Sequence, residues 1–497
     1  MCIHLCCSNF SSITNSQHME HRASFPMAYP HIILCFFCLF SIISSSSSTN
    51  PNSITLPLSP LFTNHPSSSP DPFQSLKLAA SASLTRANHL KYRTKTNLND
   101  PSNVTTEVHS KSYGGYSIDL QFGTPTQTSS FVLDTGSSLV WFPCSSRYTC
   151  SSCSFSNIDP TTIPKFIPKN STSSKIVGCT NPKCGWIFGS NVESRCNGCN
   201  PETQNCTFNC PTYIIQYGLG STAGLLLSEN LNFPGKVVPD FLVGCSLLSI
   251  RQPSGIAGFG RGLESLPSQM GLKRFSYCLV SHKFDDSPEN SDLILQIASS
   301  GDGKTSGLSY TPFQKNPEVN SVFKEYYYVS LKKIMVGGKR VKIPSGLLEP
   351  GSDGNGGTIV DSGSTFTFME KPVFELVAQE FEKQMGNNTR AKDVETQSGL
   401  SPCFTVHNSG GVVDLPQLTF GFRGGAKMVL PVANYFSFVD SDNVVCLTIV
   451  SDGVVGPARG SGPAIILGNY QQQNFYVEFD LENERFGFGH RNCNKIT

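Results

Sequence analysis

One element occurs twice in this chain, and its repetition limits the fold more than any other feature. Residues 131–141 read FVLDTGSSLVW: an apolar run delivers Asp134 onto a Thr-Gly-Ser-Ser turn, and a second apolar run follows. Residues 357–369 read GTIVDSGSTFTFM and set Asp361 on a Ser-Gly-Ser turn in the same context. An aspartate at a loop tip between two hydrophobic strands is mostly enclosed, and a buried carboxylate is costly unless it is hydrogen-bonded or paired. Gly136 permits the close backbone approach such a turn needs, and Thr135 and Ser137 carry hydroxyls within reach of it. Taken singly, either element also fits an ordinary Asp-containing hairpin turn.

The repetition extends beyond the two loops. Each copy is followed later by two apolar residues and a glycine, Ile256-Ala257-Gly258 and Ile466-Leu467-Gly468. Each is preceded by a Tyr-rich strand and a Gly turn, YSIDLQFGTP from Tyr116 and YYYVSLKKIMVGG from Tyr326. Matched landmarks in matched order indicate an internal duplication, with two lobes sharing one site.

With these motifs the chain resembles the pepsin-type aspartic proteases, and most closely their plant, nepenthesin-like branch, over roughly residues 110–493. The resemblance rests on the two Asp loops, on YGLGSTAG from Tyr217, and on the closing stretch ILGNYQQQNFYVEFDLENERFGF. It implies a mainly β, bilobal double β-barrel of the pepsin type, with the active site in the cleft between two pseudo-symmetric lobes. It implies an aspartic endopeptidase acting on peptide or protein substrates at acid pH, with Asp134 and Asp361 as the catalytic dyad and no metal or other cofactor. By the same resemblance, the Thr135 and Ser362 hydroxyls bond across to the opposite loop. Ser137 and Ser364 back the carboxylates, and Gly136 and Gly363 complete the turns. Tyr217, Gly218 and Gly220 form a mobile flap, Trp141 hydrogen-bonds the Tyr217 hydroxyl, and Cys403 pairs with Cys446. On the residues alone, Tyr217 also fits a strand-end surface tyrosine, Trp141 a core residue, and the loop hydroxyls simple turn chemistry. Some plant relatives of the family are non-catalytic inhibitors of glycoside hydrolases that lack an intact second Asp loop or the flap. Both features are present here, and a non-catalytic inhibitor or binding protein on the same fold is the alternative reading.

Two carboxyls a few ångströms apart do not both ionise easily; one keeps its proton and the pair titrates as a unit. This is established behaviour of aspartic proteases, taken over here rather than derived. A water between the carboxyls is deprotonated by the ionised aspartate and attacks the peptide carbonyl, while the protonated one donates to the developing oxyanion.

Composition bounds the compartment. Only 15% of the 497 residues are charged and the net charge is +1, which argues against a nucleic-acid-binding surface. Residues 32–43, IILCFFCLFSII, are too short an apolar run to span a bilayer and are followed by a serine tract. Residues 1–48 therefore read as a signal peptide, with Met27 a possible working start and an uncleaved anchor the alternative. Nineteen cysteines are too many for a reducing compartment; five fall in the leader and fourteen lie between Cys144 and Cys493. Nine of these crowd between Cys144 and Cys210, and with no histidines interspersed they read as disulfides rather than a zinc site. Seven disulfides are expected. Asn103, Asn170, Asn205 and Asn387 head glycosylation sequons. The polar C-terminus shows no lipid-anchor signal. The expected product is a soluble monomer of the secretory pathway, extracellular, in the cell wall or vacuolar, without stable membrane insertion.

Residues 49–110 read as prosegment and linker, residues 111–305 as an N-terminal lobe with a Cys-rich insertion, and residues 306–497 as a C-terminal lobe without a saposin-like insertion. Residues 49–70 are rich in Pro and Ser and should be extended. In residues 73–95, Leu76, Ala80, Leu84, Ala87 and Leu90 fall near helical spacing. Lys77, Arg86, Lys91, Arg93 and Lys95 make this segment basic, with Asp71 the only acid nearby. It resembles an inhibitory prosegment whose basic residue pairs with the ionised dyad; a solvated linker helix is the alternative. The clearest helix further on is residues 372–385, with Phe374, Val377, Ala378 and Phe381 on one face.

Overall fold

The computed structural model describes residues 53–60, 72–92, 114–153, 163–189, 192, 196, 208–218, 220–281, 290–318, 321–386, 388–406, 415–439, 443–452 and 462–494. The signal-peptide residues, Arg93, Lys95, Asn103, Asn205, Asn387, Cys199 and Cys206 lie outside them.

The duplication is visible in strand pairing. Strand Gln127–Asp134 ends on the first Asp loop, and Gly255–Gly258 runs parallel beside it with Gly258 opposite Asp134. Across its other edge Ile256 pairs with Trp141 of the outgoing strand Trp141–Pro143. In the second half, Ile465–Leu467 runs parallel to Thr358–Val360, the strand entering the Asp361 loop. Its other edge meets the outgoing strand Thr367–Met369, with Ile466 opposite Phe368. Each apolar-apolar-Gly element is thus threaded between the two strands of its own Asp loop. The glycines are set by close approach: a Cβ on Gly258 would stand 2.2 Å from the Ser138 backbone, and one on Gly468 2.6 Å from that of Phe366.

A shared sheet joins the lobes. From one edge it runs, in spatial order, Ser309–Pro312, Arg485–His490, Phe475–Asp480, Arg274–Cys278, Ser291–Gln296, Ser53–Pro60 and Tyr116–Phe122, and continues into the strands of the first Asp loop. The last two strands of the chain therefore lie beside strands of the first half, and the Cys278–Cys493 disulfide holds them there. Phe275 stacks on Phe479 at 4.5 Å, and the Tyr327 hydroxyl donates to the Phe259 carbonyl at 2.8 Å. The architecture is mainly β and pepsin-like.

Residues 53–60 are extended, but they do more than the Pro/Ser composition suggests. They form an interior strand, paired antiparallel with Ser291–Gln296 on one side and Tyr116–Phe122 on the other. Leu56 and Leu58 are buried while Thr55 and Pro57 are exposed, an alternation that ITLPL already carries. Residues 72–92 form the helix α1 (Pro72–Tyr92). Its Leu76, Ala79, Ala80, Ala87 and Leu90 are buried against Tyr326, Phe366, Phe368 and Tyr470. Within residues 49–110 the described elements are therefore packed into the fold. The helix expected at 372–385 spans Lys371–Gln384, and its buried face is Val373, Val377, Ala378 and Phe381. Phe374 is only partly covered, because the buried face follows the i, i+4 row from Val373.

Six disulfides are present among the described residues: Cys144–Cys245, Cys150–Cys153, Cys179–Cys196, Cys184–Cys210, Cys278–Cys493 and Cys403–Cys446. Four of them involve the Cys-rich stretch. Asn170 is exposed at the end of the turn Pro168–Asn170. Among the described residues no helix is long and apolar enough to cross a membrane.

Candidate active site

The two Asp loops meet at the lobe interface with near-identical bonding. Asp134 accepts from the Gly136 backbone N–H at 3.0 Å and from the Ser137 hydroxyl at 2.5 Å. Asp361 accepts from the Gly363 N–H at 3.0 Å and from the Ser364 hydroxyl at 2.6 Å. The loops are laced to each other by four further bonds. The Thr135 hydroxyl accepts from the Ser362 N–H at 2.9 Å and donates to the Val360 carbonyl at 3.1 Å. The Ser362 hydroxyl accepts from the Thr135 N–H at 3.0 Å and donates to the Leu133 carbonyl at 2.8 Å. Hydroxyls do this because each is donor and acceptor at once. Both aspartates are fully enclosed.

Over the first loop stands a hairpin of strands Tyr213–Gln216 and Ser221–Phe233. Its turn is closed by the Tyr217 N–H donating to the Gly220 carbonyl at 2.7 Å. The Tyr217 hydroxyl accepts from the Trp141 indole N–H at 2.8 Å. Tyr217 is 7% exposed and packs with Trp141, Tyr213 and Ile256, so it is not a surface tyrosine.

Between hairpin and dyad lies Arg86 of α1. Its Nη2 is 2.6 Å from Asp134 Oδ1 and 3.2 Å from Asp361 Oδ1, and its Nε is 3.1 Å from Asp361 Oδ2. A Cβ on Gly218 would stand 2.4 Å from the Arg86 Cα, so the helix backbone passes directly against the hairpin tip. The helix is pinned elsewhere too. The Phe366 N–H donates to the Ser83 hydroxyl at 2.9 Å, and the Tyr326 hydroxyl donates to the Leu90 carbonyl at 3.1 Å.

Known proteins similar to this chain show its family and fold. The xylanase inhibitor N-terminal family model matches residues 116–295, and the xylanase inhibitor C-terminal model residues 326–490. A probable aspartyl protease of Arabidopsis thaliana is 34% identical over 422 residues, covering 76% of this chain and 82% of the relative. Aspartic proteinase nepenthesin-2 of Nepenthes gracilis is 32% identical over 402 residues, covering 80% of this chain and 82% of its own. The chain belongs to the pepsin-like aspartic proteases, in their nepenthesin-like branch. Among solved structures, that of edgp has a TM-score of 0.58 at 20% identity, covering 89% of this chain and 95% of that one. Basic 7S globulin from soybean gives 0.56 at 17%, covering 88% and 96%. These two likenesses show the fold.

In this aspartic protease family member the two carboxyls are electrostatically unequal. Burial pushes the Asp134 carboxyl above the usual range, Arg86 opposes it, and the neighbouring charge of Asp361 adds to the rise. Burial works in the same direction on Asp361. There the Arg86 charge and hydrogen bonds, with Ser364 and Gly363, outweigh it and hold the carboxyl below the usual range. Burial acts to lower the Arg86 guanidinium, but the two carboxylates outweigh it and hold the group above its ordinary value.

Two sets of residues at the site escaped the reading of the sequence. Arg86 stood there as one of five basic residues, with nothing to single it out. Its signal is the company it keeps: Ala79, Ala80, Ser81, Ala82, Ser83 and Ala87 are small, and small side chains let a helix backbone approach a cleft closely. The closing NYQQQ stretch served only as a family mark. In the structure its amides are buried braces. Asn469 Nδ2 donates to the Ser362 carbonyl at 3.0 Å, and Gln471 Oε1 accepts from the Thr367 N–H at 2.8 Å. Gln472 Nε2 donates to the Leu467 carbonyl at 3.0 Å, and such internal bonds let a polar stretch lie buried between apolar strands.

Proposed function

We propose that this chain is an aspartic endopeptidase made in a latent form, with Asp134 and Asp361 as the catalytic dyad and α1 as the plug. One observation carries the reading. A single nitrogen, Arg86 Nη2, is within hydrogen-bond reach of an oxygen of each carboxyl. A water in that position would likewise touch both. Once α1 has left, the ionised aspartate takes a proton from that water, which attacks the peptide carbonyl. The protonated aspartate donates to the oxyanion, and a proton then passes to the leaving nitrogen. With Arg86 in place, Asp134 is pushed toward the protonated form and Asp361 toward the ionised one. That bias belongs to the plugged state and does not assign the proton in the free enzyme. The loop bonds of Thr135 and Ser362 hold the carboxyls in register, and the Tyr217 hairpin closes over the substrate and excludes water.

While Arg86 occupies the dyad no substrate carbonyl can reach it, so latency follows from geometry. Cleavage between about residues 86 and 110 would release the plug. The disulfides fit an oxidising compartment and a secreted or vacuolar destination. A second reading has support from the xylanase-inhibitor family models: a binding protein on the same fold, with an idle dyad. The deciding experiment is a peptide-cleavage assay after acid treatment of the full chain, with and without a transition-state inhibitor such as pepstatin. Inhibitor-sensitive cleavage supports the protease. No cleavage at any pH, together with an intact fold, supports the binding protein.

A further inference from the structure

Lys91 is a lysine almost wholly withdrawn from water, 3% exposed, on a helix that fills the cleft. Its ammonium bonds the Glu370 carboxylate and lies 5.3 Å from the centre of the Phe368 ring. A Cβ on Gly462 would stand 2.8 Å from the Lys91 Cα, so the Gly462 backbone lines the same recess. The lysine is thus held by a carboxylate, the face of an aromatic ring and a backbone wall. This is the chemistry that recognises a primary ammonium. All three partners belong to the body of the fold, and they remain when α1 departs.

We propose that Glu370 and Phe368 form a subsite of the active cleft that takes a lysine side chain of the substrate, and that Lys91 occupies it in the latent chain as a stand-in. This rests on the protease reading above. The position of the subsite follows from the helix. Arg86 marks the place of the scissile bond, and Lys91 is five residues further along α1. At ~1.5 Å per residue that is roughly 7.5 Å, the span of about two residues of an extended peptide. The subsite therefore reads the side chain about two residues from the bond that is cut. Phe368 leaves the Asp361 loop on strand Thr367–Met369, and Glu370 follows it directly, so both are rigidly tied to the dyad. A general apolar cleft would have no use for a carboxylate here; Glu370 is 19% exposed with Lys91 in place and would be more open without it.

The test uses the full chain after acid treatment, assayed at mildly acidic pH on two peptide series. One series carries lysine at the second or third position on either side of the scissile bond. The other carries norleucine, which keeps the stem and removes the charge. Both cleavage (kcat/KM) and binding (by fluorescence anisotropy) are measured, for the natural chain and for Glu370→Gln. The expected result is a preference for lysine of about tenfold or more at one position, abolished by Glu370→Gln. The unfolding temperature of Glu370→Gln, compared with that of the natural chain, reports that the variant has folded. Cleavage with no lysine preference, or a preference that survives Glu370→Gln, overturns the subsite and leaves the protease standing. Binding that favours lysine through Glu370 without any cleavage upholds the subsite and overturns the protease. Equal handling of both peptides, including binding of neither, overturns the subsite.

Discussion

Seven residues beyond each of the two loop aspartates stands an aromatic residue, Trp141 after Asp134 and Phe368 after Asp361. The strand register makes them equivalents, since each faces the isoleucine of its own apolar-apolar-Gly element, Ile256 or Ile466. Up to that point the two halves match almost bond for bond. From there they part. Trp141 donates its N–H to Tyr217 at the hairpin over the cleft, whereas Phe368 turns its ring to Lys91 of α1. Duplication has kept the hydrogen bonds that aim the carboxyls and changed the walls. On the proposed protease reading, the chemistry needs two equal loops and a one-way substrate needs two unequal sides.

The largest expected effects test the equality. Asp134→Asn and Asp361→Asn should each lower kcat/KM by on the order of 10³–10⁴ with the fold intact, and the double variant should lose little more, because the pair acts as a unit. Near-normal turnover by either single variant in an inhibitor-controlled peptide assay would sink the dyad assignment.

The next effect separates the two carboxyls. Asp361 lies below its ordinary value in the folded chain, so its ionised form contributes stability above that value. The contribution is lost as pH falls through the lowered one. Asp134 lies above its ordinary value, so the fold favours its protonated form and loses stability as pH rises through the raised value. Acidification should therefore protonate Asp134 first and release Asp361 from Arg86 only below the ordinary aspartate value of about 3.9. Arg86→Ala removes the cation that depresses Asp361 and should flatten the loss of stability seen in that window. It leaves two buried carboxyls without their cationic partner, so α1 should dock about 3–5 kcal/mol more weakly near neutral pH. Denaturation followed across pH, with proteolysis of α1 as the report of undocking, measures both. An unchanged pH profile in the variant would show that Arg86 does not set the Asp361 charge.

The inequality of the walls can be probed from the helix side. Leu90 is fully buried against the C-terminal lobe, so Leu90→Ala should weaken docking of α1 by about 2–5 kcal/mol. The cost should appear as earlier exposure of the segment to protease and as faster activation in acid. The dyad itself should be unaffected once the segment is gone. Unaltered proteolysis and activation kinetics would mean that α1 is held by its charges alone.

These contrasts also mark where the sequence was legible. Asp134 and Asp361 could be read because burial of a carboxylate on a Gly turn leaves a local pattern, and the pattern occurs twice. The helical spacing in α1 and its basic character could be read for the same reason. What could not be read was the meeting of distant segments. That residues 53–60 enter the central sheet, that Arg86 rather than Lys77 reaches the dyad, and that Lys91 meets Glu370 are all facts of tertiary register. They depend on where a helix lies in a cleft, and no local period encodes that. Tyr217 falls between. Its place after an apolar strand and before a Gly turn was visible, but its burial beside Trp141 was not, and that burial changes how it must be tested.

Removing the whole side chain with Tyr217→Ala would mix two effects, because Tyr217 packs into the cluster with Trp141 and Tyr213. A fall in melting temperature is then expected whatever its role at the cleft. Tyr217→Phe keeps the ring and deletes only the hydroxyl that accepts from Trp141 at 2.8 Å. The lost bond leaves a buried indole N–H without its acceptor, a cost of about 1–3 kcal/mol. If that bond fixes the hairpin in its closed position, the loss should appear mainly in kcat/KM, by about tenfold, with the melting temperature shifted by only a few degrees. Trp141→Phe also trims a fully buried ring, so it is compared through the cycle: adding Tyr217→Phe to it should lower kcat/KM little further, since the hydrogen bond is already gone. Additive losses in that cycle would show that the bond is incidental. The hairpin would then close by packing, and the aromatic residue of the N-terminal wall would serve the fold rather than the reaction.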